Sequence, residues 1–205
     1  MAGIFKRVDQ VVQWRCCMGC GACVSVCPNR NLKMVNFIDI GCRPVLVSND
    51  CQHCGDCVRV CPGIEMTAPE AHPDHLPELL CGWGQVLEVW EGYAADPQIR
   101  YLGSSGGTVT ALGLYGLKEK QVQGVLQIGV SPERPLENIP VFSCTREQLL
   151  GCTGSRYAPA STCAGLFQLE QVDGQYLFVG KPCEVAGLRK VHSLRPEWES
   201  KTALA

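Results

Sequence analysis

Cys17-Met-Gly-Cys20-Gly-Ala-Cys23-Val-Ser-Val-Cys27-Pro28 is followed, 34 residues on in register, by Cys51-Gln-His-Cys54-Gly-Asp-Cys57-Val-Arg-Val-Cys61-Pro62. Both stretches read C-x-x-C-x-x-C-x-x-x-C-P, the spacing that binds 4Fe-4S cubanes. A cubane takes one thiolate per iron. Three cysteines at steps of three share one short loop and reach three irons of one cube. The fourth, displaced and followed by proline, ligates the other cluster. The expected sets are therefore Cys17, Cys20, Cys23 and Cys61 for one cluster, and Cys51, Cys54, Cys57 and Cys27 for the other.

Structural zinc also favours C-x-x-C pairs, but it closes its shell with four ligands, usually two pairs across a longer loop. Two runs of four thiols, each ending in Cys-Pro, fit that poorly. The opening Met1-Ala-Gly-Ile-Phe-Lys-Arg-Val-Asp9 has no apolar core segment of a secretory leader. Metal-bound thiols in a reducing, cytoplasmic compartment are the expectation, with room for a peripheral place on a membrane complex.

Outside these runs, 205 residues allow one large domain or two small ones, and 46% hydrophobic content suffices for a core. A net charge of -2 gives no reason to expect nucleic acid as a partner. No apolar run approaches the ~20 residues of a membrane span. Between 63 and 92 the acidic residues Glu65, Glu70, Asp74, Glu78, Glu88 and Glu91 meet no Lys or Arg. With Pro69, Pro73 and Pro77, this stretch reads as extended, acidic connector.

The fold class expected is α+β: a ferredoxin-like module with two 4Fe-4S clusters over 10–66, a linker over 67–82, and an incomplete α/β domain. Leu32–Val35 and Pro44–Val47 read as two strands joined through Gly41, between the halves of an internal repeat. Gly19, Gly21 and Gly55 stand where backbone approaches sulfide and offers it N–H groups. Over 83–175 strands are expected at Val86–Trp90, Gly124–Val130 and Ile139–Ser143. Helices are expected after Ser105, at Thr145–Leu150 behind a capping box, and over Thr162–Gln171. Over 176–205 a strand ends at Gly180, a helix starts at Pro182, and another strand begins near the last residues.

Three phrases carry a family resemblance: Ser105-Gly-Gly-Thr-Val-Thr-Ala-Leu112, Gly154-Ser-Arg-Tyr-Ala-Pro159 and Val179-Gly-Lys-Pro-Cys-Glu-Val-Ala-Gly-Leu-Arg-Lys190. In order and spacing they resemble the beta-subunit family of coenzyme F420 (deazaflavin) hydrogenases and dehydrogenases, whose members often carry an N-terminal two-cluster module. The resemblance implies a flavin, usually FAD, that exchanges hydride with coenzyme F420 or a similar carrier. It implies other subunits of a redox complex as partners. It also implies a longer C-terminal domain, of which 176–205 is the start.

The residues themselves agree with a flavin site. Amides of Ser105, Gly106, Gly107 and Thr108 at a helix start suit a pyrophosphate, and Arg156 and Lys181 would add positive charge. Cys183 stands at a strand-to-helix turn, beside the flavin or as ligand to a further cluster. The remaining thiols, Cys16, Cys42, Cys81, Cys144, Cys152 and Cys163, read as small buried hydrophobes, and His53 as a solvent-facing spacer. Catalytic residues are not assigned. The competing reading is a ferredoxin-like carrier or docking subunit with no flavin or catalytic site of its own.

Overall fold

The internal repeat governs the first part of a computed structural model that describes residues 4–67 and 72–205. Helix α1 (Val8–Gln13) leads into the first cysteine loop. Gly21, at φ 85°, turns the chain into α2 (Ala22–Ser25), and Gly55, at φ 81°, does the same for α3 (Asp56–Arg59). Both need the left-handed region, which costs a residue with Cβ about 1–2 kcal/mol. Between the halves lies an antiparallel hairpin, β1 (Leu32–Phe37) and β2 (Gly41–Leu46), in register from Leu32 opposite Leu46 to Phe37 opposite Gly41.

The acidic connector departs from the extended chain expected of it. Pro77 starts a 3-10 turn at Pro77–Leu79 that runs into α4 (Leu80–Trp83). Proline resists the helix interior but suits its first turn, where no amide partner is required. Pro69 and Glu70 lie outside the described residues. The Val86–Trp90 strand does not form: this stretch has no ladder partner, and Val89 and Trp90 are exposed. Strand-forming residues without a partner edge cannot make a sheet.

A second sheet follows. Helices α5 (Pro97–Leu102) and α6 (Thr108–Glu119) precede β3 (Gly124–Val130) and β4 (Asn138–Ser143). Next come α7 (Arg146–Gly151), β5 (Tyr176–Phe178), α8 (Pro182–Leu194), α9 (Pro196–Glu199) and β6 (Thr202–Leu204). Thr145 caps α7 and Pro182 opens α8, as expected. The strand order is β4-β3-β5-β6, antiparallel between β4 and β3 and parallel thereafter. The helix expected over Thr162–Gln171 is a 3-10 helix over Thr162–Leu169.

The cysteine repeat and the second sheet share one core. Cys20, Ala22, Val26 and Val60 pack in the same cluster as Leu126, Leu166, Phe178, Leu188 and Val191. Each fully buried Leu or Val contributes roughly 1.5–3 kcal/mol, so the repeat is held to the sheet by apolar burial. Polar links reinforce the join: Ser161 Oγ donates to the Gly19 carbonyl at 2.7 Å, and Arg30 pairs with Glu170 at 3.1 Å. Close approach matters as well. A Cβ on Gly21 would lie 2.6 Å from the Ala164 backbone nitrogen, and one on Gly187 of α8 would lie 3.3 Å from Cys20 Sγ.

Candidate functional site

The eight cysteines of the two runs divide between two cavities. Cys17, Cys20, Cys23 and Cys61 line a narrow cleft together with Val8, Met34, Pro44 and Gly63. Cys27, Cys51, Cys54 and Cys57 line a larger cavity of about 340 Å³ between α1, β2 and α3. Each set thus takes three thiols from one run and the last thiol of the other. The cause is local: α2 and α3 are single turns, and the chain leaving each carries its final cysteine toward the opposite loop.

Among the described residues, no three His, Cys, Asp or Glu side chains converge closely enough to hold a single metal ion. The thiols of the second set line an open cavity, and those of the first a cleft of only about 10 Å³.

Backbone amides point at several of the sulfurs. Asn31 N–H donates to Cys27 Sγ at 3.3 Å. Amides of Ala22, of Val8, and of Gly63 and Ile64 serve Cys20, Cys57 and Cys61 respectively. Burial dominates the protonation of Cys20, Cys23, Cys57 and Cys61. It pushes Cys20 up to about 12, with the neighbouring Cys61, Cys183 and Cys17 adding to the rise. It pushes Cys23 well above its usual range, and Cys57 and Cys61 upward too. Burial thus disfavours the thiolates of Cys20, Cys23, Cys57 and Cys61, and a bound cationic group would supply the charge that deprotonates them.

Gly19, Gly21 and Gly55 all adopt positive φ. At Gly19 and Gly21 the close neighbours are protein: the Cys42 carbonyl and the Ala164 amide nitrogen. The tight fit there is to the protein backbone. His53 is exposed, as its spacer role requires.

A third cavity, of about 470 Å³, opens between α6, β3 and α8. Ser105, Gly107, Arg156 and Lys181 line it, so four of the seven expected cofactor residues meet there. Gly106, Thr108 and Cys183 are not among its lining residues. Gly106 packs on Tyr93, Thr108 Oγ1 donates to the Ser105 carbonyl, and Cys183 packs against the shared core. The expected row of four free amides is also incomplete, because Gly107 N–H donates to the Ser104 carbonyl at 3.0 Å. Ser105, Gly106 and Gly107 all sit at positive φ before α6 starts. A left-handed serine is uncommon and marks a constrained turn.

The two cations carry internal partners. Arg156 donates to the Asn138 side-chain oxygen and to the Pro135 carbonyl. Lys181 Nζ donates to Glu184 Oε1 at 2.7 Å and to the Ala160 carbonyl at 3.1 Å.

Sequence reasoning missed two cavity residues. Glu184 is 1% exposed, yet its carboxylate accepts from Lys181 Nζ, Lys181 N–H and Thr162 N–H. Thr162 is fully buried and lines the cavity, and its hydroxyl has no hydrogen-bond partner among the described residues. The acid at the third position after Lys181, behind Pro182, was a readable helix-start signal. Nothing local marked Thr162, because its place depends on contacts made across the fold.

Residues 16–63 match the 4Fe-4S dicluster domain. Fold and site together define an iron-sulfur protein of the ferredoxin-type class. Residues 89–167 match the N-terminal domain of the coenzyme F420 hydrogenase/dehydrogenase beta subunit. That second match spans 79 of the 205 residues, so in this stretch the chain is similar to that beta-subunit domain.

The chain is 30% identical over 104 residues to the coenzyme F420 hydrogenase subunit beta of Methanococcus voltae, a match covering 48% of the chain and 35% of that relative. It is 31% identical over 101 residues to the F420-dependent formate dehydrogenase 1 subunit beta of Methanococcus maripaludis, covering 49% and 26%. The match therefore spans about a third of the first relative and a quarter of the second. A chain of the F420-reducing [NiFe] hydrogenase complex from Methanosarcina barkeri aligns with a TM-score of 0.49 at 26% identity, covering 54% of this chain and 40% of that one. No helix among the described residues is long and apolar enough to cross a membrane.

Proposed function

We propose that this chain is a beta-type electron-transfer subunit of a flavin-linked oxidoreductase. Residues 10–66 carry two 4Fe-4S clusters, and residues 83–205 form the face toward a flavin. The observation that carries this reading is the sorting of eight cysteines into two four-thiol cavities, each completed by the last cysteine of the other run. That sorting matches the exchanged ligation of two-cluster modules, and two runs of four thiols, each closed by Cys-Pro, favour cubanes over single zinc ions. When bound, the clusters accept single electrons and the flavin supplies the conversion from hydride pairs to single electrons.

The chain's own residues hold and position. Cys17, Cys20, Cys23 and Cys61 supply one thiolate set, and Cys27, Cys51, Cys54 and Cys57 the other. Amides of Ala22, Asn31, Gly63 and Ile64 donate to sulfur and offset negative charge. In the third cavity, Ser105 and Gly107 would present backbone to a bound pyrophosphate, Gly107 without its N–H, which donates to the Ser104 carbonyl, and Lys181 and Arg156 would give the wall positive charge. Glu184 fixes Lys181 and leaves the lysine charge partly neutralised. The donor or acceptor of hydride in this reading is coenzyme F420 or a similar carrier, and the remaining subunits of a redox complex take up the single electrons.

One observation favours a second reading, a carrier without its own flavin. Both cavity cations are already committed to protein oxygens, so an incoming phosphate must displace or share those bonds. Anaerobic titration of the reconstituted protein with FAD separates the two. Saturable, stoichiometric quenching of flavin fluorescence, weakened by Lys181→Met, supports the flavin site. No quenching at concentrations on the order of 100 μM, where a site this weak contributes under about 6 kcal/mol, supports the carrier.

A further inference from the structure

The two cysteine sets have different surroundings. In the first set Cys20, Cys23 and Cys61 are each 7% exposed and Cys17 is half-buried, whereas in the second Cys54 is exposed and Cys27, Cys51 and Cys57 are half-buried. The later half of the chain packs against the first set from behind: a Cβ on Gly187 of α8 would lie 3.3 Å from Cys20 Sγ, and one on Gly21 would lie 2.6 Å from the Ala164 nitrogen. The linings of both sites come from the first 63 residues, 8–63 for this set and 6–57 for the other. The difference lies behind the lining, where Cys20 packs in one core with Leu126, Leu166 and Leu188.

A short path also joins the buried set to the third cavity. Glu184 and Thr162 line that cavity and are bonded to each other through Thr162 N–H at 2.8 Å. Ser161, next in the chain, donates its buried hydroxyl to Gly19 between Cys17 and Cys20. No comparable link runs from the cavity to the other set among the described residues.

We propose that the sets are built as unequal terminals, and that the Cys17/Cys20/Cys23/Cys61 site is the inner terminal serving the third cavity. The Cys27/Cys51/Cys54/Cys57 site is the surface terminal, where electrons are exchanged with a redox partner. This rests on the two-cluster reading above. With a reduced flavin held in the cavity, its two electrons would leave one at a time and its protons would go to solvent. Each electron would reduce the site held by Cys17, Cys20, Cys23 and Cys61 by one, then pass to the site held by Cys27, Cys51, Cys54 and Cys57, restoring the first. Two one-electron oxidants outside the chain complete the balance. Burial of Cys20, Cys23 and Cys61 limits solvent access to the inner site, and the exposure of Cys54 leaves the surface site open to a partner.

The test is iron release from anaerobically reconstituted protein to a hydrophilic ferrous chelator, followed by absorbance and by electron paramagnetic resonance. A site reached only through local opening exchanges more slowly than an exposed one. Release is expected in two phases of about equal iron, separated by about tenfold or more in rate. Cys54→Ala should abolish the fast phase and leave the slow one. Because Cys20→Ala is buried and can fail to fold, Glu184→Gln provides the second arm: it should shift the resonance signal of the slowly released iron and leave the other signal unchanged. Equal release rates, or a fast phase that survives Cys54→Ala, would overturn the assignment, as would a Glu184→Gln shift confined to the fast-released iron. The two-cluster reading fails separately, at the start, if the reconstituted protein holds well under eight irons.

Discussion

Ser161 Oγ donates a buried hydrogen bond of 2.7 Å to the carbonyl of Gly19, 142 residues away in sequence. The bond pins the first cysteine loop to the 3-10 helix that carries Thr162. Ser161→Ala leaves the Gly19 carbonyl without this partner and should cost about 1–2 kcal/mol. Chemical denaturation of the reconstituted protein measures the loss, and a midpoint equal to that of the parent chain counts against the role.

Gly21→Ala should be far more damaging. The residue sits at φ 85°, and its Cβ would lie 2.6 Å from the Ala164 nitrogen. Left-handed strain and overpacking together come to about 2–5 kcal/mol. Gly55→Ala has the same strain but meets no atom within 4 Å, so about 1–2 kcal/mol is expected there. Equal destabilisation of the two variants would show that packing between the cysteine repeat and the sheet is weak.

Thr162→Val has two readouts. The threonine hydroxyl is buried without a partner, so replacement by an isosteric methyl should leave stability unchanged or raise it by about 1 kcal/mol. If the hydroxyl serves a ligand in the third cavity, the same variant should weaken FAD binding several-fold. Loss of stability together with unchanged FAD binding would assign the hydroxyl a purely structural partner.

Acid sensitivity should come partly from His192. It is buried, with Nε2 3.0 Å from Thr202 Oγ1, and burial lowers its pKa from 6.5, opposed by nearby Glu199. The unfolded chain then takes up the proton at higher pH than the folded chain. This contribution is fully present above pH about 6.5 and is lost as pH falls through 6.5 toward the depressed folded value. Urea midpoints from pH 7.5 to 5.5 should fall more steeply in the parent than in His192→Gln. Parallel slopes would remove His192 from the account.

The cysteine repeat was legible because its spacing is local, and the same periodicity placed Gly21 and Gly55 in equivalent turns. Strands β3, β4 and β5 and the start of α8 were legible for a similar reason: apolar runs ended by Gly or Pro. Val86–Trp90 misled because propensity cannot supply a neighbouring strand. Glu184, Ser161 and Thr162 were hidden because their importance lies in contacts between distant segments. The expected flavin residues were half legible. Ser105, Gly107, Arg156 and Lys181 converge on one cavity, while Cys183 turns to the core, where α8 packs on the cysteine repeat.

The most direct test of the central claim is metal and sulfide content of anaerobically reconstituted parent protein beside Cys61→Ala. The account predicts about eight irons and eight sulfides in the parent. In Cys61→Ala, the signal lost should be that of the site formed by Cys17, Cys20 and Cys23, the same one lost in Cys17→Ala. Zinc in place of iron, or loss in Cys61→Ala of the site that Cys51→Ala removes, would contradict it.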